Sequence, residues 1–170
     1  MPSSALVVLA PEAEELVAGL RLQYDRAAAL GVPAHVTVLY PIVTAVDDTL
    51  DERVARICRR QPPFTAELAA VERFPGLVVW LRPDPSEPFA ALIAAAMAEF
   101  PECPPYGGTI AQPTPHLTVA DGVDAPTAAA LQAELEPGLP IRGTFDTLTL
   151  LVEDATGHWS VARGWPLGDG

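Results

Sequence analysis

A chain of 170 residues is the length of one compact domain, 1–170, and burying roughly 70% of the surface its unfolded form exposes makes a disulfide or metal staple unnecessary. Twenty-two acidic residues against ten basic ones leave a net charge of −12; this field repels polyanions and excludes a long duplex nucleic acid, while a mononucleotide or short oligonucleotide end stays compatible with it. All ten basic residues are arginines, so neither a Schiff-base lysine nor a phosphate-loop lysine can exist here.

Ser4 to Ala10 is apolar and β-branched, which predicts a buried strand, and Pro11 opens a helix at its favoured first position. Acidic residues at its start (Glu12, Glu14, Glu15), later arginines (Arg21, Arg26) and the closing Gly31 extend that helix to about Leu30. His35–Leu39 alternates between Pro33 and Pro41 as a second strand, and Asp47–Arg60 carries Leu50, Val54 and Ile57 at a helical period. Phe64–Arg73 and Leu77–Arg82 form a hairpin about Pro75-Gly76, followed by an alanine-rich helix over Ser86–Phe100. The run PECPPYGGTIAQPTP is loop. His116–Ala120 is a short strand, Ala125–Leu135 a helix, and Ile141–Val152 with His158–Trp165 a closing hairpin turned near Ala155-Thr156-Gly157. The order strand, helix, strand, helix, hairpin and then helix, strand, helix, hairpin predicts an α+β fold whose second half echoes the first.

Two of the three histidines are followed at the second position by threonine, in His35-Val36-Thr37-Val38 and His116-Leu117-Thr118-Val119. With threonine at 12 of 170 positions, that pairing arises by chance about once in seventy. On a strand, residues i and i+2 share a face, so each motif presents an imidazole beside a hydroxyl and turns its aliphatic residues to the packed side. The combination suits a phosphoryl group: one imidazole removes a proton from the attacking oxygen, the other donates one to the leaving oxygen, and hydroxyls hold non-bridging oxygens. The scheme asks for no metal or other cofactor, and neither GxGxxG nor GxxxxGK occurs. Metal binding by the histidines and cysteines has no recognised ligand spacing.

The doubled H-h-T-h pattern, about eighty residues apart in phrases PAHVTVLYP and PPYGG…PHLTVA, resembles the two-histidine phosphoesterase superfamily that includes the 2′-5′ RNA ligase and cyclic phosphodiesterase proteins. The resemblance implies a bilobal fold of pseudo-twofold symmetry, with two antiparallel-rich sheets around a central cleft and helices packed outside. It implies that His35, Thr37, His116 and Thr118 are catalytic. It implies metal-free opening of a 2′,3′-cyclic phosphate, or reversible 2′-5′ joining of RNA ends. The scarcity of basic residues favours a small substrate over RNA joining, so the expected partner is a nucleotide or short RNA with a cyclic phosphate end. A module that binds nucleotides or RNA ends without turning them over is the alternative.

Tyr40 and Tyr106 are candidate substrate-binding residues, able to stack on a base or bond to phosphate, although Tyr40 falls on the strand parity opposite His35. His158, just past Gly157, is expected in solvent. Trp159 and Trp165 read as core or lobe-closing residues, and Arg53, Arg56, Arg59 and Arg60 as a solvated helix face. Cys58 and Cys103 lack a CxxC framework and read as free thiols of a reducing compartment. No basic lead-in or run of about 18 apolar residues marks a leader or membrane span. The expectation is a cytoplasmic monomer with no membrane partner.

Overall fold

The computed structural model describes residues 3–42 and 45–168. Eight strands make two four-stranded sheets, antiparallel throughout. The first has the order β2-β1-β7-β8, from β1 (Ser4–Leu9), β2 (His35–Ile42), β7 (Thr147–Glu153) and β8 (Trp159–Pro166). The second has the order β5-β4-β3-β6, from β3 (Phe64–Phe74), β4 (Val78–Asp84), β5 (Leu117–Ala120) and β6 (Ile141–Phe145). Five helices pack on them: α1 (Glu14–Tyr24), α2 (Arg26–Ala29), α3 (Asp48–Cys58), α4 (Glu87–Glu99) and α5 (Ala125–Leu135). The α+β class and the two-sheet arrangement agree with the expectation from sequence.

The alternation of each strand explains which face it buries. Leu6, Val8, Val36, Val38, Leu148 and Leu150 of the first sheet join Val79, Leu81, Leu117 and Val119 of the second in one apolar core. The opposite face of the first sheet carries a smaller cluster of Ala5, Val7, Val32 and Leu151, with Leu9, Ala27, Tyr40 and Trp159 packed against it. Each histidine strand lies at the edge of its sheet and is braced by a helix leading from the other sheet's strands. Thus α1, which follows β1, packs on β5, with the Asp121 N–H donating to the Tyr24 carbonyl at 3.0 Å; α4, which follows β4, packs on β2.

Three expectations change. The single helix expected over 11–30 is a 3-10 turn at Pro11–Ala13, then α1 and α2 broken at Asp25. Asp25 takes an extended backbone (φ −124°, ψ 108°) because its carboxylate caps α2, accepting from the Ala27 N–H at 3.0 Å. Ile141–Val152 is not one strand but β6 and β7, separated by Asp146 and belonging to different sheets. The hairpins are also exchanged relative to a sequential repeat: β3-β4 joins β5 and β6, while β7-β8 returns to β1.

Gly31 closes α2 at φ +96°, as its position promised, and the place is doubly restricted. A Cβ there would meet the His158 ring Nε2 at 2.6 Å and the Trp159 carbonyl at 2.7 Å, because the β7-β8 hairpin docks on this turn through Trp159 N–H to the Leu30 carbonyl at 2.7 Å. His158 is exposed, as expected. Arg56 is exposed, in keeping with a solvated face, but is paired to Glu99 at 2.6 Å, whereas Arg53 departs from that reading: it is partly buried, bonds Glu102 at 2.6 Å and lies 4.0 Å over the Phe100 ring, and the two tie α3 to α4. Arg59 and Arg60 are exposed. Cys58 and Cys103 are free and buried; burial pushes the Cys58 thiol up to about 11, which makes it inert.

Candidate active site

Val36 and Val38 sink into the core on one side of β2, so His35 and Thr37 face the other, half-buried. Leu117 and Val119 do the same for β5, leaving Thr118 and, one residue ahead of the strand, His116 on the open side. The two pairs line a single cavity of about 570 Å3. Phe74, near the β3-β4 turn, walls its far side with its ring 5.0 Å from the His116 ring, and the buried Trp80 stacks behind it, 5.9 Å from His116.

The two histidines are held alike. His35 Nδ1 donates to the Pro33 carbonyl and His116 Nδ1 to the Thr114 carbonyl, both at 2.7 Å and both two residues upstream. A carbonyl can only accept, so the proton sits on Nδ1 in each ring and Nε2 is left as the free nitrogen. The strap before His35 is itself clamped. Arg21, only 2% exposed, donates to the Val32 carbonyl at 3.0 Å and pairs with Asp25 at 2.9 Å, while the Glu14 carboxylate accepts from Ala34 N–H at 2.7 Å. Burial pulls the His35 pKa from 6.5 down to about 4, opposed by the hydrogen bond to Pro33. Burial lowers His116 as well, opposed by its bond to Thr114. Both rings are therefore neutral near pH 7.

Tyr40 joins this face for a reason that alternation alone conceals. Leu6 pairs with Leu39 but the adjacent Val7 pairs with Thr37, so β2 bulges at Val38. Val38 and Leu39 are both buried, and the parity reverses beyond them, which returns Tyr40 to the side of His35. Tyr106, in a left-handed backbone conformation (φ 50°, ψ 39°) within the 3-10 turn Pro105–Gly108, stands edge-on to Tyr40 at 6.2 Å; burial pushes its phenol up, with the Thr37 hydroxyl beside it pulling the other way. Trp159 lies 6.1 Å from Tyr40 and, besides packing against the Ala5–Val7–Val32–Leu151 cluster in keeping with its reading as core or lobe-closing, helps wall a second chamber of about 400 Å3. The chambers meet at Ala27, His35, Thr37, Tyr106 and Asp121. All six residues singled out from sequence thus come together at one cleft.

Phe74, Trp159, Asp25 and Asp121 were not foreseen as cleft residues. Asp25 had a local signal, an N-cap type interrupting an amphipathic run. Phe74 and Trp159 had none, since only the turn of β3-β4 and the docking of β7-β8 bring them there. Among the described residues, no group of three or more histidine, cysteine or acidic side chains is placed to hold a metal ion.

A family model described as the 2′-5′ RNA ligase superfamily matches residues 9–157. The chain belongs to that superfamily. Escherichia coli LigT complexed with NADP+ superposes with a TM-score of 0.64 at 17% identity, over 99% of this chain and 98% of that one. A protein described as a phosphoesterase gives 0.64 at 18% identity, over 99% and 100%. Escherichia coli LigT with 3′-AMP gives 0.61 at 17%, over 99% of both chains. At these identities the likeness is one of fold. No curated protein sequence matches. Among the described residues no helix is long and apolar enough to cross a membrane.

Proposed function

We propose that this superfamily member is a phosphoesterase that opens the 2′,3′-cyclic phosphate of a nucleotide or short RNA end. The observation that carries the reading is the matched pair of imidazoles, each with Nδ1 fixed on a backbone carbonyl and Nε2 free, lining one cavity with two threonines. One Nε2 takes a proton from water as its oxygen attacks phosphorus; the ester bond to one ribose oxygen breaks, and the other imidazole, protonated, returns a proton to that oxygen. Thr37 and Thr118 donate to the non-bridging oxygens. The product is a ribose phosphomonoester. Solved LigT structures carry NADP+, 3′-AMP and ATP, which supports a nucleotide as the group bound. Attack by a ribose hydroxyl in place of water would join RNA ends, a reading disfavoured by the net charge of −12.

The direct test is turnover of 2′,3′-cyclic mononucleotides and cyclic-phosphate-ended RNA, with the phosphate isomer of the product identified. Absence of hydrolysis together with tight binding would establish a recognition module instead.

A pH profile follows from the lowered histidines. Reaction needs one ring neutral and the other protonated, a state most populated between their two pKa values. One of these is about 4 and the other lies below 6.5. The kcat/KM profile is therefore expected to peak on the acid side of pH 6.5 and to fall about tenfold per pH unit well above it. A bound phosphate anion raises both values, so kcat should peak at higher pH than kcat/KM. A kcat/KM still climbing at pH 8 would contradict the scheme.

A further inference from the structure

The charges around the cleft are unusual for a phosphate site. No arginine lines the main chamber. Among the described residues Arg53 and Arg56 pair with Glu99 and Glu102, Arg82 with Glu72, Arg163 with Asp51, and Arg21 with Asp25 behind His35. Arg26 lines only the side chamber, and no ion pair joins it to Asp121. Asp25 borders the main chamber, but its charge is matched by Arg21 at 2.9 Å. Asp121 is different. It lines both chambers where they meet, its backbone is pinned to Tyr24 at 3.0 Å, the residue is exposed, and no cation pairs with it among the described residues. With both histidines neutral, Asp121 is, among the described residues, the carboxylate of the main chamber that no ion pair offsets.

We infer that Asp121 is a specificity-determining residue that filters ligands by charge, admitting a singly charged phosphodiester and disfavouring phosphomonoester dianions and polyphosphates. The inference rests on the cleft being the phosphate site proposed above. For an esterase the filter has a use: substrate and product differ by one charge, so the carboxylate repels the monoester more strongly than the diester and hastens its release. Screened repulsion across a wet cleft amounts to about threefold in affinity per ligand charge at moderate ionic strength.

The test compares Kd by calorimetry at pH 7.5 for wild type, Asp121→Asn and, as a control for net charge on the outer face of α1, Glu15→Gln. The ligands are adenosine (neutral), a 2′-deoxy dinucleoside monophosphate (one charge, no attacking hydroxyl) and adenosine 2′-phosphate (about two charges). Expected for Asp121→Asn are no change with adenosine, about threefold tighter binding of the diester and about tenfold tighter binding of the monoester. The differences should shrink in high salt, and Glu15→Gln should show none of them. Equal change across the series, or weaker binding of adenosine, would mean that Asp121 accepts a ligand hydrogen bond, and would overturn the filter. Binding with no dependence on ligand charge overturns the filter alone; failure of every ligand to bind either protein overturns the reading of the cleft with it.

Discussion

Alanine at either His35 or His116 is expected to lower kcat on a 2′,3′-cyclic nucleotide by about 10² to 10⁴-fold, with the thermal midpoint kept within a few degrees of wild type. Each imidazole sits at a cleft face rather than in the core, so truncation removes a proton carrier without opening a cavity. Because the two rings serve one proton relay, the double replacement should cost little more than the worse single one. The losses should fall on kcat more than on KM, since ground-state binding leans on the threonines and the aromatic walls. Two single variants that both retain more than a tenth of wild-type turnover would remove the enzyme from consideration.

The second large effect is on stability. Replacing Asp25 with alanine leaves the Arg21 guanidinium, 2% exposed, without its counter-charge and removes the cap of α2. Stranding a buried charge costs about 3–5 kcal/mol, which lowers the melting temperature by roughly 10 °C in a domain of this size. Replacing both partners together, Arg21→Met with Asp25→Asn, keeps a capping side chain and strands no charge, so it should recover most of the loss. The same lesion loosens the Val32–Ala34 strap that presents the Pro33 carbonyl to His35, so residual turnover at permissive temperature should also drop. A loss below about 1 kcal/mol for Asp25→Ala would show that the pair is not a buried one.

How the sequence prefigures the structure depends on where each signal resides. The His35 and His116 strands were legible because alternation and a repeated triplet are local: valine on one parity must pack, so histidine and threonine must face away. The sequence reads as four helices, three of them ending within a few residues of the observed α3, α4 and α5, while the fourth, over 11–30, is broken into α1 and α2 at Asp25. Tyr40 shows the limit of alternation, since a bulge is a property of the pairing between β1 and β2 and leaves no mark in β2 alone. Asp146 shows another. Ile141–Val152 contains no proline, and its one glycine lies in β6, so nothing local announces that the chain leaves one sheet for the other there. The cleft position of Trp159 depends on the docking of β7-β8 against α2, and its own neighbours in sequence read as an ordinary edge strand.

The exchanged hairpins bear on how the chain is made. β1, the second strand to the cleft in its sheet, pairs on one side with β2 but on the other with β7, nearly the whole length of the protein away. On a ribosome the apolar edge of β1 stays open until almost all the residues have emerged, and no early portion can close a finished sheet of its own. Acquisition of the native state is thus expected to be a late, all-or-none event, and nascent chains stalled before Thr147 should be the ones that recruit chaperones or self-associate.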